Sequence, residues 1–238
     1  MFYELRLYKS APGRLHEIDA RMGSVYPPLF RRAGFHRPLG QWNCTTGAMM
    51  PLYVWLVRWD SHEHRQATFD ALHRDPDWAR LRAETNGPSE MVLGFNLYLL
   101  EGTPARDTIA ALHADRAGPA GGLHELRLYS LYPGRAEQTM QSLRETHLPA
   151  LKRAGGVSLG AFKVSIGPNL PCLALFMAWD GYEAREAGLA AHAADAEVKA
   201  CLAREAAELK TEVLGRHESW LMRPTTHCPP HYHFAASD

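Results

Sequence analysis

The chain has 238 residues and a mass of 26.6 kDa, room for one large domain or two of about 100–150 residues. Apolar residues make up 46% and charged residues 22%, while 26 Lys and Arg balance 26 Asp and Glu. That composition excludes a disordered polar chain, and the zero net charge removes any whole-molecule electrostatic case for nucleic acid or anionic membrane.

No stretch approaches the roughly 20 apolar residues of a membrane helix. The N-terminus Met1-Phe2-Tyr3-Glu4-Leu5-Arg6 alternates instead of carrying the apolar core of a signal peptide. The expected location is therefore cytoplasmic. Cys44, Cys172, Cys201 and Cys228 lie far apart with no CxxC pair, which argues against a disulfide framework and against a zinc ribbon.

In chain order, residues 2–8 alternate Tyr3, Leu5 and Leu7 against Glu4, Arg6 and Tyr8, the period of a strand. Leu15, Ile18, Met22, Val25 and Leu29 recur at helical spacing, with Pro27-Pro28 expected to kink or break that helix and Gly34 to end it. Residues 38–44 and 51–59 read as two strands with Gly47 in the turn between them. Asp60-Ser61-His62-Glu63 reads as a capping box opening the next helix, and Asp75-Pro76-Asp77-Trp78 as a second helical start. Residues 91–100 supply a last strand.

The same order then returns. Glu125-Leu126-Arg127-Leu128-Tyr129 repeats Glu4-Leu5-Arg6-Leu7-Tyr8, and Pro133-Gly134-Arg135 repeats Pro12-Gly13-Arg14, both 121 positions later. Trp179-Asp180 repeats Trp59-Asp60 at an offset of 120, and Val213-Leu214-Gly215 restores 121. So many ordered matches define an internal repeat. The expected domains are 1–101 and 123–222, with a linker over 102–122 (including a short helix, Ala105 to Asp115) and a histidine-rich tail over 223–238. Each half reads βαββαβ, a ferredoxin-like unit that leaves one sheet face bare. Two such sheets in one chain predict an α+β fold: an intramolecular α/β barrel with helices outside.

At Tyr3-Glu4-Leu5-Arg6-Leu7-Tyr8, Pro12-Gly13, Ala33-Gly34, Trp59-Asp60 and Asp75-Pro76-Asp77-Trp78 the sequence resembles the NIPSNAP family. His147-Leu148-Pro149 is similar to that family's helix motif, where the first half has Tyr26-Pro27-Pro28. The resemblance implies the dimeric α/β barrel group, whose members include cofactor-free monooxygenases, isomerases, haem enzymes and plain binding proteins. The second half departs from the pattern. His124 replaces Tyr3, and Ala196-Glu197-Val198 stands where Pro76-Asp77-Trp78 would be.

Three constellations carry possible chemistry. Parity places Glu4, Arg6 and Tyr8, and likewise Glu125, Arg127 and Tyr129, on the face opposite the leucines. If the leucines meet the helices, these groups face the barrel interior, either as a salt-bridge ladder cementing the sheets or as a pocket with a Glu base and an Arg for an anionic oxygen. His147, standing at the position of Tyr26, is either a satisfied core histidine or an acid–base group. His124 and His217 lie on the first and last strands of the second half, and with His227, Cys228, His231 and His233 they offer divalent-metal or haem ligands. Trp42, Tyr53, Trp55, Trp59 and Trp179 read as core packing.

The expected function is a small-molecule enzyme of acid–base (isomerase or lyase) or cofactor-independent oxygenase type. Its pocket is expected in the second half, with His147, Glu125, Arg127 and Tyr129 catalytic and His124, His217, Glu4, Arg6, Tyr8 and Tyr26 lining ligand sites. No cofactor is required by this reading, with haem or a divalent metal as the open alternative. A non-catalytic ligand-binding or protein-interaction role is the other alternative. The expected partners are a small molecule and further copies of the chain, with no nucleic acid and no membrane.

Overall fold

The computed structural model describes residues 1–104, 122–210, 213–214 and 216–227. The first half comprises β1 (Phe2–Ser10), α1 (Leu15–Ala20), α2 (Tyr26–Ala33), β2 (Gly40–Thr46), β3 (Leu52–Trp59), α3 (His62–Arg74), α4 (Pro76–Asn86) and β4 (Val92–Pro104). The second repeats it as β5 (Leu123–Ser130), α5 (Ala136–Ser142), α6 (Leu148–Arg153), β6 (Val157–Ile166), β7 (Cys172–Trp179), α7 (Tyr182–Ala194), α8 (Ala196–Leu209) and β8 (His217–Pro224). The short helix expected from Ala105 to Asp115 lies outside the described residues.

All eight strands join in one closed antiparallel barrel, in the order β1-β3-β2-β8-β5-β7-β6-β4. Two seams join the halves. In one, β2 pairs with β8, with Cys44 opposite Met222. In the other, β4 pairs with β6, with Leu100 opposite Val164 and Glu101 opposite Lys163. This second seam explains why β4 outruns the strand expected to end at residue 100. Closure leaves the sheet without a free edge among the described residues. No helix among the described residues is long and apolar enough to cross a membrane.

The barrel interior is mostly apolar. Tyr3, Leu5 and Leu7 meet Leu126, Leu128 and Phe162 there, in one buried cluster built from both halves. An eight-stranded barrel is just wide enough for side chains to fill it. The expectation that Glu4, Arg6, Tyr8 and their counterparts face the interior is therefore corrected: the leucines point inward and the polar triplets point toward the helices. Strand parity groups the residues but does not say which group faces which side, and only the tightly filled interior decides it.

The break expected at Pro27-Pro28 is instead a change of helical pitch. α1 passes through a π-helical turn, Arg21–Val25, directly into α2, whose first turn holds the prolines. Prolines have no N–H to donate to the preceding turn, so a helix can hold them only at its start. The second half does the same, with a π turn at Leu143–His147 ahead of Pro149. Gly34, in the left-handed conformation at φ 95°, ends α2 as expected. The cap of α3 is Ser61, one residue beyond Asp60; its hydroxyl accepts from the His64 amide at 3.1 Å. Asp75 caps α4 by accepting from the Asp77 amide at 2.9 Å.

Candidate functional site

Between each sheet and its own helices runs a ladder of charged groups. In the first half the fully buried Glu4 carboxylate accepts from Arg6 Nε at 2.5 Å, Arg65 Nε at 2.5 Å and Trp59 Nε1 at 2.8 Å. In the second, Glu125 accepts from Arg127 Nε and Arg185 Nη2 at 2.8 Å, Trp179 Nε1 at 3.1 Å and Ser219 Oγ at 3.0 Å. Burial pushes both carboxyls up, but hydrogen bonds and charge from the two arginines outweigh it, leaving Glu4 below its ordinary value and Glu125 at about 2. Each ladder ties β1 to α3 or β5 to α7 within a half. It does not cement the two sheets together, as had been expected.

A cavity of about 580 Å³ opens beside the first ladder, between the sheet and the layer formed by the π turn, α2, α3 and α4. Tyr8, Tyr26, Trp55, Phe69, Trp78 and Phe95 give it aromatic walls, and Arg6, Arg21 and Arg65 supply positive charge. The Arg6 guanidinium lies 4.8 Å from the Phe69 ring centre and 5.2 Å from that of Phe95. Its Nη1 donates to the Tyr8 hydroxyl at 3.1 Å. Arg6 is thereby held by Glu4 and by rings.

Arg21 differs. It leaves the π turn only 6% exposed, with its guanidinium 5.4 Å from the Tyr26 ring centre. Its Nη2 donates to the Asn86 side-chain oxygen, its buried Nε has no partner, and no carboxylate lies within ion-pair distance among the described residues. The nearby Glu90 is taken up by Arg82 Nη2 and Asn86 Nδ2, each at 2.7 Å. Burial pulls the Arg21 proton affinity down, with Tyr26 opposing the shift; the same burial pushes the Tyr26 hydroxyl up. A buried guanidinium with no directly paired carboxylate among the described residues, facing an aromatic cavity, suits an anion.

The histidines of the second half do not converge. His124 points into the barrel interior, where it accepts from Trp42 Nε1 at 3.2 Å. His217 pairs across the ladder face with Tyr129, five residues further along β5, and packs 4.8 Å from its ring centre. An odd separation along a strand means opposite faces, so the expectation that His124 and His217 share a site is corrected. His147 sits in the second π turn, 4% exposed, with Nδ1 3.1 Å from His192 Nε2. His227, the one tail histidine among the described residues, lies 3.4 Å from the Tyr53 hydroxyl and 3.7 Å from Asp19. Cys228, His231 and His233 fall outside the described residues.

The NIPSNAP family profile matches residues 3–93 and 124–229, one copy on each half. The chain belongs to the NIPSNAP family. No curated protein matches it. Among solved structures, an anthrone oxidase-like protein superposes with a TM-score of 0.55 at 15% identity, covering 94% of this chain and 90% of its own. A protein of Fusobacterium nucleatum named as a candidate monooxygenase gives 0.56 at 7% identity, covering 94% and 92%. Chlorite dismutase from Candidatus Nitrospira defluvii gives 0.53 at 8% identity, covering 99% and 95%. At these identities the likeness is one of fold alone.

Within this NIPSNAP chain, Trp55, Phe69 and Trp78 have the counterparts Leu175, Leu189 and Val198, while Arg21 corresponds to Ser142. Comparing the halves for gained histidines missed these positions. The same comparison run for gained rings and cations would have found them, because the fold requires neither at those sites in both halves.

Proposed function

We propose that the first half holds the ligand site and that the protein is a small-molecule enzyme acting on a planar aromatic compound through its enolate or phenolate anion. One observation carries this reading: Arg21, buried in the wall of an aromatic cavity, has no carboxylate within ion-pair distance among the described residues, and its buried Nε has no partner. A ring stacked among Tyr26, Trp55 and Trp78 would place its oxygen near that guanidinium, which lowers the cost of forming the anion. His73 packs against Trp78 at the mouth, with ring centres 5.9 Å apart, and is the group placed to accept the proton. Such an anion is the species that either an isomerase or a cofactor-independent oxygenase needs. The names of the anthrone oxidase-like and monooxygenase neighbours accord with the second.

The expectation of catalysis at Glu125, Arg127 and Tyr129 gives way in this reading. Glu125 already accepts four donors, and Arg127 is committed to Glu125 and Tyr129, so this ladder reads as scaffold. Hydroxylated polycyclic aromatics, titrated while tryptophan fluorescence is followed, test the proposal. Arg21→Met should weaken binding at least about tenfold without lowering the unfolding midpoint, because it removes an unpaired buried charge. Unchanged affinity in that variant would overturn the reading. Oxygen uptake with a bound ligand then separates oxygenase from isomerase.

A further inference from the structure

The second half carries a different constellation at the equivalent place. His147 on the π turn, and Cys201 and Glu205 on α8, bring one ring nitrogen, one sulfur and one carboxylate oxygen within 4.8 Å of one another. All three residues are more than nine-tenths buried: His147 is 4%, Cys201 3% and Glu205 6% exposed. Cys201 and Glu205 are four residues apart, which stacks them on one face of the helix.

Hydrogen bonds within the cluster leave one atom over. Glu205 Oε1 accepts from Ser142 Oγ at 2.7 Å and from Cys201 Sγ at 3.5 Å, and Oε2 from the Val213 amide at 3.1 Å. Arg204 Nη2 donates to Cys201 Sγ at 3.5 Å, and Ser142 Oγ lies 3.4 Å from the same sulfur. His147 Nδ1 faces His192, but His147 Nε2 is buried with no partner. A buried imidazole nitrogen close to a thiol and a carboxylate is the donor chemistry that a divalent transition metal takes.

We propose that His147, Cys201 and Glu205 form a site for a borderline-soft divalent metal of the Zn²⁺ class. Imidazole, thiolate and carboxylate are the ligands that ion takes, at about 2.0–2.3 Å, so a tetrahedral set would close to separations of about 3.5 Å by small side-chain movements. His192 then serves the His147 Nδ1 from outside, fixing the ring as metal-bound imidazoles require. Binding displaces the Cys201 thiol proton to solvent. The first half has Tyr26, Leu81 and Thr85 at these three positions. The shared fold therefore does not explain the set. A metal there links the π turn to α8, two separate parts of the helical layer.

The test uses the full chain, reduced and stripped of metal by chelation, titrated with Co²⁺. Thiolate-to-cobalt charge-transfer absorption should rise and saturate at one ion per chain, then disappear when Zn²⁺ displaces cobalt. Cys201→Ser should abolish the band and Glu205→Gln should weaken Co²⁺ binding at least tenfold. Cys228→Ser should leave the band intact, which separates the site from the tail thiol. His36→Ala should also leave it intact, which separates it from the surface group His36, Asp60 and His64. In the unmodified chain, Zn²⁺ should slow alkylation of Cys201, a readout that needs no variant to fold. A band that follows Cys228, or no thiolate band at one equivalent of Co²⁺ with no protection of Cys201, would overturn the proposal.

Discussion

The two halves share a strand order, a π turn, a capped last helix and a Glu–Arg–Tyr ladder, yet they differ in what fills the space between sheet and helices. The first half places Arg21, Tyr26 and Trp78 around an open cavity, whereas the second has Ser142, His147 and Val198 at the same positions. Shared residues therefore report what the barrel needs, and divergent ones report what each half does with it. The ladders are the shared part, the layer next to the helices the divergent one.

The largest expected effect tests the shared part. Glu125→Gln should destabilise the fold by about 3–5 kcal/mol, because Arg127 and Arg185 would be left holding buried positive charge without its partner. Glu4→Gln should act in the same direction but less strongly, since Glu4 gathers three donors where Glu125 gathers four. Urea unfolding of both variants measures the difference. Equal losses would overturn the ranking, and negligible losses in both would show that the ladders are surplus to stability.

Acid stability follows from the same carboxylates. The folded value of Glu125, about 2, lies below the unfolded value of about 4.3. Its contribution is thus complete above about pH 5 and is lost as pH falls toward 2, amounting to about 3 kcal/mol. Glu4 shifts the same way and adds to the slope. Unfolding midpoints between pH 5 and 2.5 should fall steeply in the unmodified protein and less steeply in Glu125→Gln.

The divergent part is probed by making one half resemble the other. Trp78→Val installs the residue that the second half carries at Val198 and should weaken aromatic-ligand binding about tenfold, the worth of one ring-on-ring contact. Binding that survives this change would move the ligand away from α4. The smallest effect returns to what is shared. Asp75 and Asp195 each cap a helix and accept from an arginine, Arg32 and Arg153. Asp75→Ala and Asp195→Ala should each cost about 1 kcal/mol, and by the same amount.

Much of this architecture was legible in the residues. The repeat offsets, the strand alternation of residues 2–8 and the helix start at Asp75-Pro76 all depend on local periodicity, which a single sequence displays. The facing of the strands was not legible, because Leu5 and Glu4 alternate identically whichever side is the interior. The cavity was hidden for a related reason. Trp55 and Trp78 have the same apolar character whether they close a core or line a space, and only the packing around Arg21 distinguishes the two. The separation of His124 from His217 could have been read from register: Tyr129, the partner of His217, stands five positions after His124, an odd separation.

The seams β2–β8 and β4–β6 would join two molecules if each half were a separate protein; here they join parts of one. Tethering turns a second-order encounter into a first-order one, with the halves held at an effective concentration of roughly millimolar or more however dilute the protein becomes. Barrel closure is then a property of the single molecule, and its unfolding midpoint should not move with protein concentration. Tethering also removes the rule of a symmetric pair that every substitution occurs twice. One half can lose a ring or gain a thiol without imposing the same change on its twin across the seam.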